Sequence, residues 1–347
     1  MLEFNKSREI VHSPGEEDIA DLLKKRTETM IEIRRPGPEV TKFLDSVDFP
    51  SLHRTIAKIA SRCGISEEAL NFVDKSHIIE WGSPLGANGH YFAKENIIAI
   101  TTLSDPMLSA LSADPERQRA QAISDDIEAF GSEELGLLHT LIHEEAHAMS
   151  RNAAIIGKVP KIKDENNIEA VAERSGVSFH VYPTVFLERD PKNYRFPYYD
   201  IDGLVKDGKL TPKYFGFKAL NEGIAEKLAR DITLSYLETT GASKETLSRI
   251  RNSFSNNISS SYTDEALIVN ATIEKISKNT GQGEEVVWQG MVNAYLHGNH
   301  LEDRDVEQLF TEVFGADFLT ELSRISPGNY SGNKERREKL FKKYQLY

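Results

Sequence analysis

One feature constrains this chain most. His143-Glu144-Glu145-Ala146-His147 lies inside a single apolar-periodic segment, Ser132–Arg151. Leu135, Leu138, Ile142, Ala146 and Met149 recur at helical spacing, and Ser132-Glu133-Glu134 supplies a capping residue and an acidic first turn. The segment therefore reads as a helix with a buried face. Residues four apart share one side of a helix, so the imidazoles of His143 and His147 can converge on one cation. Glu144 sits beside them and is placed to act as general base toward a metal-activated water. Burying these charged groups costs free energy unless a cation offsets it. His139 lies one turn earlier. Histidines at i, i+4 and i+8 span about 12 Å of helix axis and cannot all reach one ion. His139 thus reads as a packing residue or a partner of a ligand, and the third ligand must come from elsewhere.

Two segments compete to supply it. Glu169 and Glu173 lie in Ile168-Glu169-Ala170-Val171-Ala172-Glu173, with 21 residues between His147 and Glu169. Glu222 and Glu226 lie in Leu220-Asn221-Glu222-Gly223-Ile224-Ala225-Glu226, with 74 residues between His147 and Glu222. Each pair is spaced i, i+4, so one carboxylate can bind metal while the other holds a ligand histidine. The second segment is better built. Phe217, Leu220, Ile224, Leu228 and Ile232 form a core stripe, and Gly223 lets a facing helix approach closely. The first is short and ends at Arg174-Ser175-Gly176. The build favours Glu222.

These residues together resemble the gluzincin metallopeptidases, the thermolysin and aminopeptidase N kind, in which an Asn-Glu-Gly or Asn-Glu-Ala helix supplies the third zinc ligand. The resemblance implies a zincin-like catalytic domain, one catalytic Zn²⁺ held by His143, His147 and Glu222, and Glu144 as general base. Glu226 matches the acidic residue that hydrogen-bonds a ligand histidine. The implied activity is hydrolysis of peptide bonds in a peptide or protein substrate. The likeness covers about His77–Glu238. The linker from His147 to Glu222 is much longer than in thermolysin or aminopeptidase N. No Gly-x-Met-x-Asn exopeptidase signature is present, so aminopeptidase specificity is not implied, and an endopeptidase is the expectation. Zincins often add a Tyr or His that stabilises an oxyanion; candidates here are Tyr214, Tyr262, Tyr295, His180 and His297, while Tyr198-Tyr199 could line a cleft. The alternative is a catalytically inactive zincin-fold binding or regulatory protein.

The rest of the chain sets the frame. Pro50–Ser61 and Ser66–Val73 read as helices, His77–Trp81 and His90–Thr102 as strands, and Lys94-Glu95-Asn96 as a turn. Asp164–Glu173 reads as a short helix, Gly176–Leu187 as a strand and Arg189–Thr211 as a long loop. Helices are expected at Phe217–Glu238, Thr263–Lys278, Gly283–Leu296, Asp303–Phe314 and Asp317–Ile325, and Lys334–Lys343 as a solvated helix end. Glu16–Ile33 has helical spacing and ends at Arg34-Arg35-Pro36-Gly37-Pro38. The expected class is α+β: a helical N-terminal appendage over 1–47, a zincin-like core with a small sheet over 48–240, and a helical C-terminal subdomain over 241–347. A formal charge of −12 disfavours nucleic acid or anionic lipid as partners. No stretch approaches the roughly 18 apolar residues of a membrane-spanning helix, no secretory signal is visible, and the single Cys63 excludes an internal disulfide framework. A cytoplasmic location is the expectation.

Overall fold

A computed structural model describes residues 6–8, 33–81, 89–92, 96–100, 131–150, 152–160, 167–183, 216–255, 262–297, 304–325 and 333–346. The strands are β1 (Lys6–Arg8), β2 (Ile33–Arg34), β3 (Ile78–Trp81), β4 (Gly89–Phe92), β5 (Ile97–Ile100), β6 (Asn152–Pro160), β7 (Asn167–Ser175) and β8 (Ser178–Pro183). The helices are α1 (Pro38–Ser46), α2 (Phe49–Arg62), α3 (Glu133–Met149), α4 (Lys218–Thr239) and α5 (Lys244–Ser255), followed by α6 (Thr263–Thr280), α7 (Glu284–His297), α8 (Arg304–Phe314), α9 (Phe318–Ser323) and α10 (Asn333–Tyr344). The class is α+β and mostly helical.

The strands form two sheets. One runs β2-β3-β5-β4, with β3 parallel to β5 and β4 antiparallel to it at the edge. Ile97, Ile98, Ala99 and Ile100 are all buried, as a near-continuous apolar run requires of an inner strand covered on both faces. The second sheet, β1-β6-β7-β8, is antiparallel throughout.

The helix α3 lies between the first sheet and α4, packing on β4 and β5 on one side. Its Leu141 and Ile142 are fully buried in one core with Ile98, Ile100, Leu220 and Ile224. Ser132 caps it as expected, its hydroxyl accepting from Leu135 N–H at 3.3 Å. The central element is α4, against which α2, α3, α5, α6, α7 and α9 all pack. The close approach expected at Gly223 is real, and the helix that approaches is α6. A Cβ at Gly223 would fall 2.3 Å from the Glu265 carbonyl oxygen, so any side chain there would force the two helices apart.

Several expectations need correction. Asn167–Ser175 is a strand, not a helix: its backbone pairs residue for residue with β6, Pro160 opposite Asn167 and Asn152 opposite Ser175. Ile168, Ala170 and Ala172 put apolar residues at every second position, and the i, i+4 spacing of the glutamates is equally a strand spacing. Ser66–Val73 forms only the short 3₁₀ turn Glu67–Ala69. Beyond it the chain is held out of a helix by Asn71, whose amide donates to Asn96 Oδ1 at 2.7 Å and to the Ala148 carbonyl at 3.2 Å. Within His90–Thr102 the expected turn falls as read at Asn96, whose φ of 52° stands between β4 and β5. Before residue 48, β1 and β2 each join a sheet; of the expected helix Glu16–Ile33 only Ile33 is described, in β2, and the whole expected loop Arg189–Thr211 lies outside the described residues. Among the described residues, no helix is long and apolar enough to cross a membrane.

Candidate metal centre

Two helices build the site, each contributing groups one turn apart. On α3 these are His139, His143 and His147; on α4 they are Glu222, Glu226 and Arg230, with Thr233 close behind. The two rows interlock. His147 Nε2 lies 3.1 Å from Glu222 Oε2, His143 Nε2 lies 3.4 Å from the same oxygen, and the two Nε2 atoms are 3.2 Å apart. These three residues form a group whose ligand atoms all lie within 4.8 Å of one another and could hold a metal ion. The backbone of Glu169 sits in β7 opposite Lys158, and its side chain lies outside the described residues.

Behind His143 the row continues. Glu226 Oε2 accepts from His143 Nδ1 at 3.2 Å, and Glu226 Oε1 accepts from His139 Nε2 at 3.2 Å and from Arg230 Nε at 2.8 Å. The Nδ1 of His139 meets Thr233 Oγ1 at 3.1 Å. His139 therefore partners a carboxylate that itself holds His143, one of the candidate ligands. Arg230 is anchored in turn by donating to the Phe254 carbonyl at 3.2 Å.

Glu144 points to a different neighbour, the edge strand β4. It is 5% exposed, and a Cβ on Gly89 would fall 2.7 Å from its Oε1. The Tyr91 backbone N–H donates to the same carboxylate. The bare glycine backbone thus leaves room for the Glu144 carboxylate beside the sheet edge.

Burial and charge pull in opposite directions here. For His143, burial lowers the pKa, but the hydrogen bonds to Glu222 and Glu226 outweigh it and raise the imidazole to about 10. Burial would raise Glu222 and Glu226, yet attraction to His147 and hydrogen bonds from the histidines hold Glu222 well below the ordinary carboxylate range. Attraction to His139, with hydrogen bonds from His139 and His143, does the same for Glu226. Burial dominates at Glu144 and pushes its pKa up against the charges of His143 and His147. Were a cation to displace the proton that His143 otherwise holds, buried Glu144 and Glu226 and the partly exposed Glu222 would face the guanidinium of Arg230, an excess of two negative charges. A divalent cation at the His143–His147–Glu222 point would balance it.

Of the aromatic and histidine candidates, two touch the ligand imidazoles. The Tyr262 ring stacks on His143 at 5.0 Å and 8°. The Tyr295 hydroxyl lies 3.1 Å from His147 Nδ1, on the ring nitrogen turned away from Glu222. His297 ends α7 with its side chain exposed. Tyr198, Tyr199 and Tyr214 lie outside the described residues, as does the side chain of His180. Sequence reasoning missed Arg230 and Thr233. Arg230 was within reach of it, because it extends the i, i+4 series of Glu222 and Glu226 by one more turn. The Asn of Asn-Glu-Gly is structural: Asn221 Oδ1 accepts from Val177 N–H at 3.1 Å and pins the β7–β8 turn to α4. No protein family, curated protein or solved structure matches this chain.

Proposed function

We propose that this chain is a zinc-dependent metallopeptidase of gluzincin type that hydrolyses internal peptide bonds. The observation that carries the reading is the spacing of the three donors. Zinc–ligand bonds of about 2.0–2.1 Å in tetrahedral geometry put ligand atoms roughly 3.3 Å apart. The three separations here are 3.1, 3.2 and 3.4 Å. Two imidazoles and a carboxylate suit Zn²⁺ better than a hard cation such as Mg²⁺. Three protein ligands leave a fourth position for water or substrate. The exposure of the donors supports an opening on the Glu222 side, since that side chain is 19% accessible against 6% for His143.

Zinc, when bound, acts as a Lewis acid toward water and a carbonyl oxygen. The chain's own part is proton handling and orientation. Glu144 accepts a proton from the attacking water on a carboxylate oxygen and passes it to the leaving amine. Its raised pKa suits that exchange, because burial brings it closer to neutrality than an exposed glutamate. Glu226 orients His143 and, through the same carboxylate, engages His139 and Arg230. The antiparallel pairing of β4 with β5 beside α3 supports the zincin reading of the fold.

The test combines metal content with a base-deleted variant. Purified protein is expected to hold about one equivalent of zinc. Glu144→Gln is expected to keep that zinc and the fold while losing hydrolysis of a peptide library. Absence of zinc uptake by the chelator-stripped protein, or wild-type cleavage by Glu144→Gln, would overturn the reading.

A further inference from the structure

The second candidate ligand is gripped from a part of the chain that carries no metal donor. Tyr295 is fully buried on α7, and its Oη lies 3.1 Å from the Ala146 carbonyl oxygen and 3.1 Å from His147 Nδ1. A carbonyl oxygen only accepts, so the phenol proton goes to Ala146. The phenol oxygen then presents its lone pairs to the imidazole, and only a protonated Nδ1 satisfies that contact. The neighbouring Ser150 hydroxyl donates its one proton to the His147 carbonyl at 2.7 Å, so it does not compete with the imidazole for the phenol lone pairs.

The choice of tautomer matters because the other ring nitrogen is contested. His147 Nε2 faces Glu222 Oε2 at 3.1 Å, and a carboxylate there favours a proton on Nε2. A proton on Nε2 blocks the lone pair that a cation needs. We infer that Tyr295 is a positioning residue: its hydroxyl holds the His147 proton on Nδ1 and so presets Nε2 as a metal donor. His143 has a carboxylate, Glu226, in the equivalent place, whereas His147 has a neutral phenol. The phenol is the gentler partner. It fixes the tautomer without adding a further negative charge to a site that already holds the carboxylates of Glu144, Glu222 and Glu226. The role also separates Tyr295 from oxyanion stabilisation, since its hydroxyl is committed to the ring nitrogen turned away from Glu222.

This inference rests on the metal-centre reading, and the experiment separates the two. Zinc affinity is measured by chelator competition for the wild type and Tyr295→Phe, with circular dichroism as the folding check. Long-range ¹H–¹⁵N spectra of the zinc-loaded proteins report solvent exchange of the His147 Nδ1 proton. Tyr295→Phe is expected to bind zinc about 10–100-fold more weakly, the usual cost of losing an outer partner. Its His147 Nδ1 proton is expected to exchange at least about tenfold faster, because its acceptor is gone. Equal zinc affinity in the two proteins would overturn the role of Tyr295 and leave the metal centre standing. Weaker affinity with unchanged proton exchange would assign the effect to packing and also overturn it. A wild type that takes up no zinc would overturn both readings. Should Tyr295→Phe fail to fold, the wild type decides alone: slow exchange of the His147 Nδ1 proton supports the inference, and exchange as fast as an exposed imidazole overturns it.

Discussion

His147 and Glu222 meet at 3.1 Å although 75 positions separate them in the chain. Between them the chain leaves α3, builds the β6-β7-β8 part of the second sheet and returns as α4. The two helices nevertheless mesh turn for turn, His147 and His143 against Glu222, then His143 and His139 against Glu226. A spacing of four residues on both helices makes this possible, because each successive pair advances about one turn along both axes.

From this follows a graded set of zinc affinities. Glu222→Ala removes one of three donors and is expected to weaken zinc binding beyond the roughly 10–100-fold loss typical of outer partners. Glu226→Ala is expected to fall within that range, since it frees His143 Nδ1 without removing a donor. Glu169→Ala is expected to be close to neutral for zinc. Chelator-competition titration of the three variants measures the order. Loss of metal by Glu169→Ala with retention by Glu222→Ala would reverse the assignment.

The helical half of the site was legible because its signals are local. The α3 cap, the apolar stripe, the paired histidines and the Asn-Glu-Gly segment all follow a 3.6-residue period that one sequence displays directly. The close α4–α6 approach at Gly223 was legible for the same reason: a glycine amid good helix formers needs a packing explanation. What failed was non-local. Asn167–Ser175 is a strand because β6 pairs with it, and the β6 segment itself gave no strong strand signal. Asn71 stops a helix through partners at Asn96 and Ala148, far along the chain. The roles of Tyr262 and Tyr295 depend on α6 and α7 folding back over the centre, which no spacing near the motif announces.

Glu145, the second glutamate of the motif, makes stability depend on pH. It is fully buried, Val73 N–H donates to Oε2 at 3.4 Å, and Oε1 has no hydrogen-bond partner among the described residues. His53 Nε2 stands 3.9 Å away. Burial raises the carboxyl from 4.5 to about 8. Below pH 4.5 both folded and unfolded chains hold the proton and nothing is gained or lost. Between 4.5 and about 8 only the folded chain holds it, so stability falls as pH rises; above about 8 the full cost is present. Glu145→Gln removes this titration. In zinc-stripped protein, the variant is therefore expected to gain on the wild type between pH 5 and pH 8.5, by on the order of a few kcal/mol. His53, held below its ordinary value by burial, titrates in both proteins and largely cancels in the difference. Urea melts at the two pH values measure it, and a constant gap would refute the assignment.

Gly89 gives the sharpest test of how the base is held. Its backbone is ordinary strand, so alanine meets no conformational penalty there and the fold should accept it. The new methyl would instead lie 2.7 Å from Glu144 Oε1, 2.8 Å from Glu144 Cγ and 2.8 Å from Thr140 Cγ2. Those atoms must move. The Glu144 carboxylate is the free end of a flexible side chain, so it yields more cheaply than the sheet or the α3 backbone. The three atoms nearest the new methyl belong to Glu144 and Thr140 rather than to His143, His147 or Glu222, so zinc should stay bound with little change in affinity. A displacement of about 1 Å in a reacting group costs on the order of 100-fold in rate. Gly89→Ala is therefore expected to lower kcat by about 10–100-fold, with KM near wild type and a stability loss of about 1–3 kcal/mol from overpacking. Steady-state kinetics on a cleavable peptide, alongside zinc titration and a melting curve, separate the outcomes. Wild-type kcat in Gly89→Ala would mean that Glu144 is not the proton acceptor, or that its position against β4 is immaterial to the reaction.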